Sequence, residues 1–150
     1  MSGRCGSGVV DLFFSGAGAP FVREFLQRVA PERVNDLEPV LDMIVGSDER
    51  FPNDMDLVDT AALLAGVPVL EDLRSFVRSD RERLVAETSA RDCDDADMLL
   101  TVTLQWCSNN EAARSRYMAE NLLQLLDQSG ADTKAVFWAH NGHVETVYGC

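Results

Sequence analysis

The residues of this chain best equipped for chemistry stand together in His140-Asn141-Gly142-His143. These are the only 2 histidines in 150 residues. Imidazole titrates near neutrality, so either ring can take up or release a proton at cellular pH. Gly142 permits a turn that brings His143 back toward His140. Asn141 offers an amide N–H to a carbonyl or a developing oxyanion. Upstream lie Arg114, Arg116, Glu120 and Asn121. Arg114, Met118 and Asn121 follow a four-then-three spacing and share one helix face, which can turn toward His140. Arg114 or Arg116 can hold an anion or steady negative charge. Arg116 and Glu120 are spaced for a surface ion pair, worth only about 0.2–0.5 kcal/mol. Plain solvent exposure is the alternative for all four. The set describes hydrolysis or group transfer that uses water or a substrate hydroxyl. His140, His143, Arg114 and Asn141 are the expected catalytic groups, and Asn121, Arg116, Glu120 and Trp138 are expected to border the substrate.

Other chemistries find less support. His140, His143 and Glu145 could form a zinc site, but the HExxH pattern is absent, so no metal is expected. Asp92 to Thr103 lacks the glycine and glutamate of a calcium loop, and Asp94 or Asp95 reads better as a helix cap. Ser15 to Pro20, SGAGAP, carries neither a phosphate-loop Lys-Ser/Thr pair nor GxGxxG, and reads as a tight turn. No cofactor is expected. There is no GxSxG serine, and Cys107 belongs to an apolar helix stripe.

The elements that must position this chemistry follow from hydrophobic spacing. Lys134 to Trp138 reads as a short buried strand delivering the histidines at its carboxyl end, where α/β proteins bind ligands. A helix from about Glu111 to Leu126, stopped by Gln128-Ser129-Gly130, precedes it. Val9 to Phe14 also has strand composition. Helices are predicted over Phe21–Val29, Pro31–Val45 with Pro39 as a kink or a split, Ala61–Leu64, Pro68–Arg78 and Ala96–Cys107, with Gly66 and Pro68 as a break. The expected fold class is α/β, mostly helical with a small, mainly parallel sheet. One domain is expected over residues 1–150, with residues 1–8 as a flexible lead-in.

Composition narrows the partners. Hydrophobic residues make up 46% of the chain, enough for a real core. A formal net charge of -12 repels nucleic acid and anionic membranes, so neither is an expected partner. Cys5, Cys93, Cys107 and Cys150 show no framework spacing. With no evident secretory segment, reduced thiols and a cytoplasmic location are expected.

Arg114-Ser-Arg-Tyr-Met-Ala-Glu-Asn121, followed by Trp138-Ala-His-Asn-Gly-His-Val144, resembles the erythromycin esterase family. The likeness covers roughly Ala96 to Val144, about a third of the chain. It implies metal-independent hydrolysis of an ester or macrolide lactone, as in antibiotic resistance, by histidine-activated water. Arg114, Asn121, His140, Asn141 and His143 are the matching positions. Family members are longer, with a glutamate and a histidine at an early glycine-rich strand end. The nearest counterpart here, Val9 to Phe25, has neither in its loop. A partial or truncated member is therefore expected, paired with another copy or a complementing fragment. The rival expectation is a catalytically inactive, acidic interaction module.

Overall fold

The computed structural model describes residues 18–48, 60–108 and 113–134. Their elements are α1 (Ala19–Val29), a 3-10 turn (Pro31–Arg33), α2 (Val34–Asp48), α3 (Thr60–Ser79), α4 (Arg81–Glu87), α5 (Ala90–Cys107) and α6 (Arg114–Ser129). No strand occurs among the described residues. The expected α/β class with a small parallel sheet is thus corrected to a helical fold. Helices layered on a sheet turn their apolar stripes toward it. Here the stripes face one another, and the broadest contact is α3 against α5. The Val9–Phe14 run, residues 135–138 and the 1–8 lead-in lie outside the described residues.

In α1, Pro20 occupies the first turn, where its missing N–H costs nothing. The helix starts two residues before the predicted Phe21. Val22, Phe25, Leu26 and Val29 are buried, as their spacing requires, and Phe21 packs partly against them. Gly18 precedes the helix where a Cβ would run into the Leu99 side chain of α5. α2 passes through Pro39 without splitting and buries Val34, Leu37, Val40 and Leu41.

α3 corrects a second expectation. Gly66 and Pro68 do not break it; one helix of 20 residues runs through both. Gly66 instead lets α2 come close, since a Cβ there would stand 3.0 Å from Val40 Cγ1. Pro68 withholds an N–H from the Leu64 carbonyl, and Pro39 does the same to Asn35. All four residues are exposed, so water can reach those carbonyls.

The chain then turns at Asp80 into α4, which buries Leu84. α5 begins at Ala90, not Ala96. Its cap is Ser89, whose Oγ accepts from the Asp92 N–H at 3.0 Å. Asp94 and Asp95 lie inside the helix and serve ion pairs, Asp94 with Arg81 at 2.8 Å and Asp95 with Arg91 at 3.5 Å. A serine cap of this kind stabilises a helix by about 1 kcal/mol.

The core gathers Leu26, Leu37, Leu63, Leu70, Leu73, Leu84 and Leu100 around the α3–α5 contact. Full burial of each such side chain contributes about 1.5–3 kcal/mol. Ion pairs stitch the seams between elements. Arg23 grips Glu38 with two bonds of 2.7 Å, from Nε and Nη2. Arg33 joins Asp72, and Arg78 joins Asp97. Arg33 also lies over the Phe76 ring at 4.5 Å, with Arg83 at 5.7 Å. The chain's one lysine, Lys134, is exposed beyond the end of α6, just past a turn closed by the Thr133 N–H on the Gly130 carbonyl at 3.1 Å. Among the described residues no helix is long and apolar enough to cross a membrane.

Candidate functional site: the inner face of α6

α6 carries every expected site residue that the structure describes. His140, Asn141, His143 and Trp138 lie outside the described residues. The helix starts at Arg114 with Ala113 as its cap, three residues after the predicted Glu111, and ends before Gly130, whose φ of 93° suits glycine alone. Its spacing sorts the polar residues as expected. Arg114, Met118 and Asn121 share the inward face: Met118 is 5% exposed, Asn121 is 1% exposed and Arg114 is half-buried. The Arg114 Nε is shut off from water. Arg116 and Glu120 point outward and pair at 3.5 Å, with 65% and 57% of their side chains exposed. Solvent exposure, the plain alternative for all four, therefore holds for this pair and fails for Arg114 and Asn121.

Asn121 is placed by a partner that the sequence did not single out. The Gln105 Nε2 donates to the Asn121 Oδ1 at 3.0 Å, and the Asn121 Nδ2 donates back to the Gln105 Oε1 at 2.8 Å. Two amides thus close on each other across the α5–α6 seam. A second tie lies further along, where the Gln124 Nε2 donates to the Asp97 Oδ2 at 3.2 Å. Arg78 backs that carboxylate from α3, its Nε donating to Oδ1 at 2.6 Å and its Nη2 to Oδ2 at 3.1 Å. The hydrogen bond to Asp97 pushes the Arg78 pKa above its ordinary value, so this cation keeps its charge. The order of partners, Gln105 with Asn121 and Asp97 with Gln124, is that of antiparallel neighbours. Gln105 carried a faint signal in the sequence, as a polar residue between Leu104 and Trp106 in an apolar stripe.

Cys107 is fully buried, and burial pushes its thiol up to about 11. It stays protonated and packs, as its stripe position predicted. Among the described residues no cluster of three or more metal-binding side chains occurs. A groove of about 500 Å³ between α2 and α3 is lined by Arg33, Asn35, Asp36, Pro39, Pro68, Val69, Asp72 and Leu73; none of these comes from α6.

The class defined here is a helical protein in which one helix turns an arginine and an asparagine inward, with the histidine pair following in the chain. This chain belongs to the erythromycin esterase family, whose model matches residues 11–148. The match takes in the Arg114–Asn121 and Trp138–Val144 motifs and reaches well beyond them, back to Asp11. No curated protein and no solved structure matches the chain.

Proposed function

We propose that this protein hydrolyses an ester or lactone with water activated by histidine. The observation that carries the reading is the family match across residues 11–148, which includes both the arginine helix and the histidine pair. The inward placement of Arg114 supports it further. A guanidinium on the inward face of α6, with its Nε away from water, meets less screening and acts more strongly on nearby negative charge than one in solvent. In the proposed reaction His140 or His143 removes a proton from water as the oxygen attacks the carbonyl carbon. The carbonyl oxygen becomes an oxyanion, steadied by Arg114 and by the Asn141 amide N–H. The tetrahedral intermediate then collapses, and the imidazolium returns its proton to the departing alkoxide. Arg116, Glu120, Asn121 and Trp138 are proposed to border the substrate, with the two exposed α6 residues at the rim. The reaction as written needs neither metal nor cofactor.

The test is a turnover screen on the purified protein with p-nitrophenyl esters and macrocyclic lactones, with and without EDTA. His140→Ala and His143→Ala should each abolish cleavage while the helical circular dichroism is retained. Unchanged turnover in both variants removes the histidines from the mechanism. Loss of activity in EDTA points to a metal instead. A folded wild-type protein inert across the panel favours the acidic interaction module.

A further inference from the structure

We infer that Gln105 is the positioning residue for Arg114, acting through its amide pair with Asn121, so that the buried polar seam between α5 and α6 sets where the guanidinium stands. The inference rests on the hydrolase reading only for its kinetic consequence. Three observations carry it. The amide pair is reciprocal, with both bonds at 3.0 Å or less, and Asn121 is 1% exposed. Two amides bonded head to head tolerate little rotation of either helix, because turning α6 breaks both bonds at once. Next, Arg114 lies seven residues before Asn121, two helical turns away on the same face, so any rotation at Asn121 carries Arg114 with it. Finally, α6 has little apolar burial of its own to hold its rotation. Leu122, Leu125 and Leu126 are only half-buried, Leu123 is 63% exposed, and Met118, at 5% exposed, is the one buried apolar side chain within the helix. Apolar contacts are non-directional and leave a helix free to roll, whereas the amide pair, with the single Gln124–Asp97 bond beyond it, fixes one register.

The experiment compares wild type with Gln105→Leu, Asn121→Leu and the exchanged pair Gln105→Asn/Asn121→Gln. Exchange keeps the combined side-chain length, so the reciprocal bonds can reform. The direct readout is the NMR signal of the Arg114 Nε–H, assigned by its loss in Arg114→Lys, and its rate of exchange with water. The Arg114 Nε–H should exchange at least tenfold faster in Gln105→Leu and return toward wild type in the exchanged pair. The thermal midpoint should fall, because Asn121 loses both bonds to Gln105 in a buried seam; the control for a merely structural role is exchange of the α1–α5 backbone amides, which should quicken less than that of Arg114. An unaltered Arg114 signal in Gln105→Leu overturns the inference, as does an exchanged pair no better than the single leucine variants. If Gln105→Leu fails to fold, Gln105→Glu replaces it; a carboxylate can accept from Asn121 but cannot donate back, and the same faster exchange of the Arg114 Nε–H is required. On p-nitrophenyl butyrate, Gln105→Leu should lower kcat by roughly ten- to a hundredfold, the scale of a misplacement near 1 Å, with KM little changed. A wild type inert on this ester bears on the hydrolase reading alone, because the exchange measurement decides the positioning.

Discussion

Replacing Gly66 with alanine sets two well-known effects against each other inside α3. In an ordinary helix interior the change stabilises by about 0.8–1.0 kcal/mol, because glycine surrenders more backbone freedom on folding. Here the new Cβ would stand 3.0 Å from Val40 Cγ1 and 3.3 Å from Cγ2. Both distances fall short of ordinary carbon–carbon contact by several tenths of an ångström. Val40 has little room to yield. It is β-branched, only 6% exposed, and sits one residue past Pro39. Relief must come from α2 and α3 moving apart, and overpacking of this kind costs about 1–3 kcal/mol. The balance is a net loss of about 0–2 kcal/mol. Urea unfolding followed by circular dichroism at 222 nm reads this as a lower midpoint at constant slope. The control is Val40→Ala, which removes the obstructing methyls. Val40→Ala costs stability alone, but together with Gly66→Ala the loss should be smaller than the sum of the two by about 1 kcal/mol or more, a coupling expected of residues in contact. A single variant Gly66→Ala that gains the full propensity increment of about 1 kcal/mol would refute the reasoning, since it would mean that the helices are not held at this distance.

Three further outcomes can be checked. Ser89→Ala removes the α5 cap and should lower stability by about 1 kcal/mol, whereas Asp94→Asn should not act as a cap loss, since Asp94 lies inside the helix. Glu38 is held below its ordinary value, chiefly by the hydrogen bond from Arg23, so its contribution is present above pH about 4.5 and fades as pH falls through the lower folded value; Glu38→Gln should be less stable than wild type at pH 7 and converge with it in acid melts. Cys107, with its thiol raised from 9.0 to about 11, should carry roughly a hundredfold less thiolate at neutral pH than an ordinary cysteine. Iodoacetamide labelling of the peptide containing Cys107, read by mass spectrometry, should accordingly be slow in buffer and rapid in urea.

How far the sequence could be read depended on which forces its patterns report. Helix periodicity predicts α1, α2 and the later part of α5, and puts Arg114 and Asn121 on one face of α6, because burial repeats with the helix turn. The same reasoning failed at Gly66 and Pro68. Local propensity marks both as breakers, yet the packing of α2 against Gly66 and the solvent-facing position of Pro68 override it. Residue type alone suggests Asp94 or Asp95 as the cap and does not point to Ser89, because capping depends on where the helix starts rather than on how many carboxylates stand nearby. The α/β class rests on apolar runs at Val9–Phe14 and Ala135–Trp138, which lie outside the described residues, while the described ones form helices without a strand. Gln105 is not legible as a site residue because a reciprocal amide pair leaves no periodic trace; its two halves lie 16 residues apart on different helices. Asp97 stands out in the sequence only as part of a segment that fails as a calcium loop, while its bonds to Arg78 and Gln124 come from elements far away in the chain.

Lys134 gives the experimenter an unusual handle. Apart from the amino terminus, it is the chain's only primary amine, so an amine-reactive dye or resin attaches to one exposed side chain just after α6. A tag fixed there stands six residues before His140, close enough along the backbone to sense occupancy of the proposed site without altering any residue assigned to it.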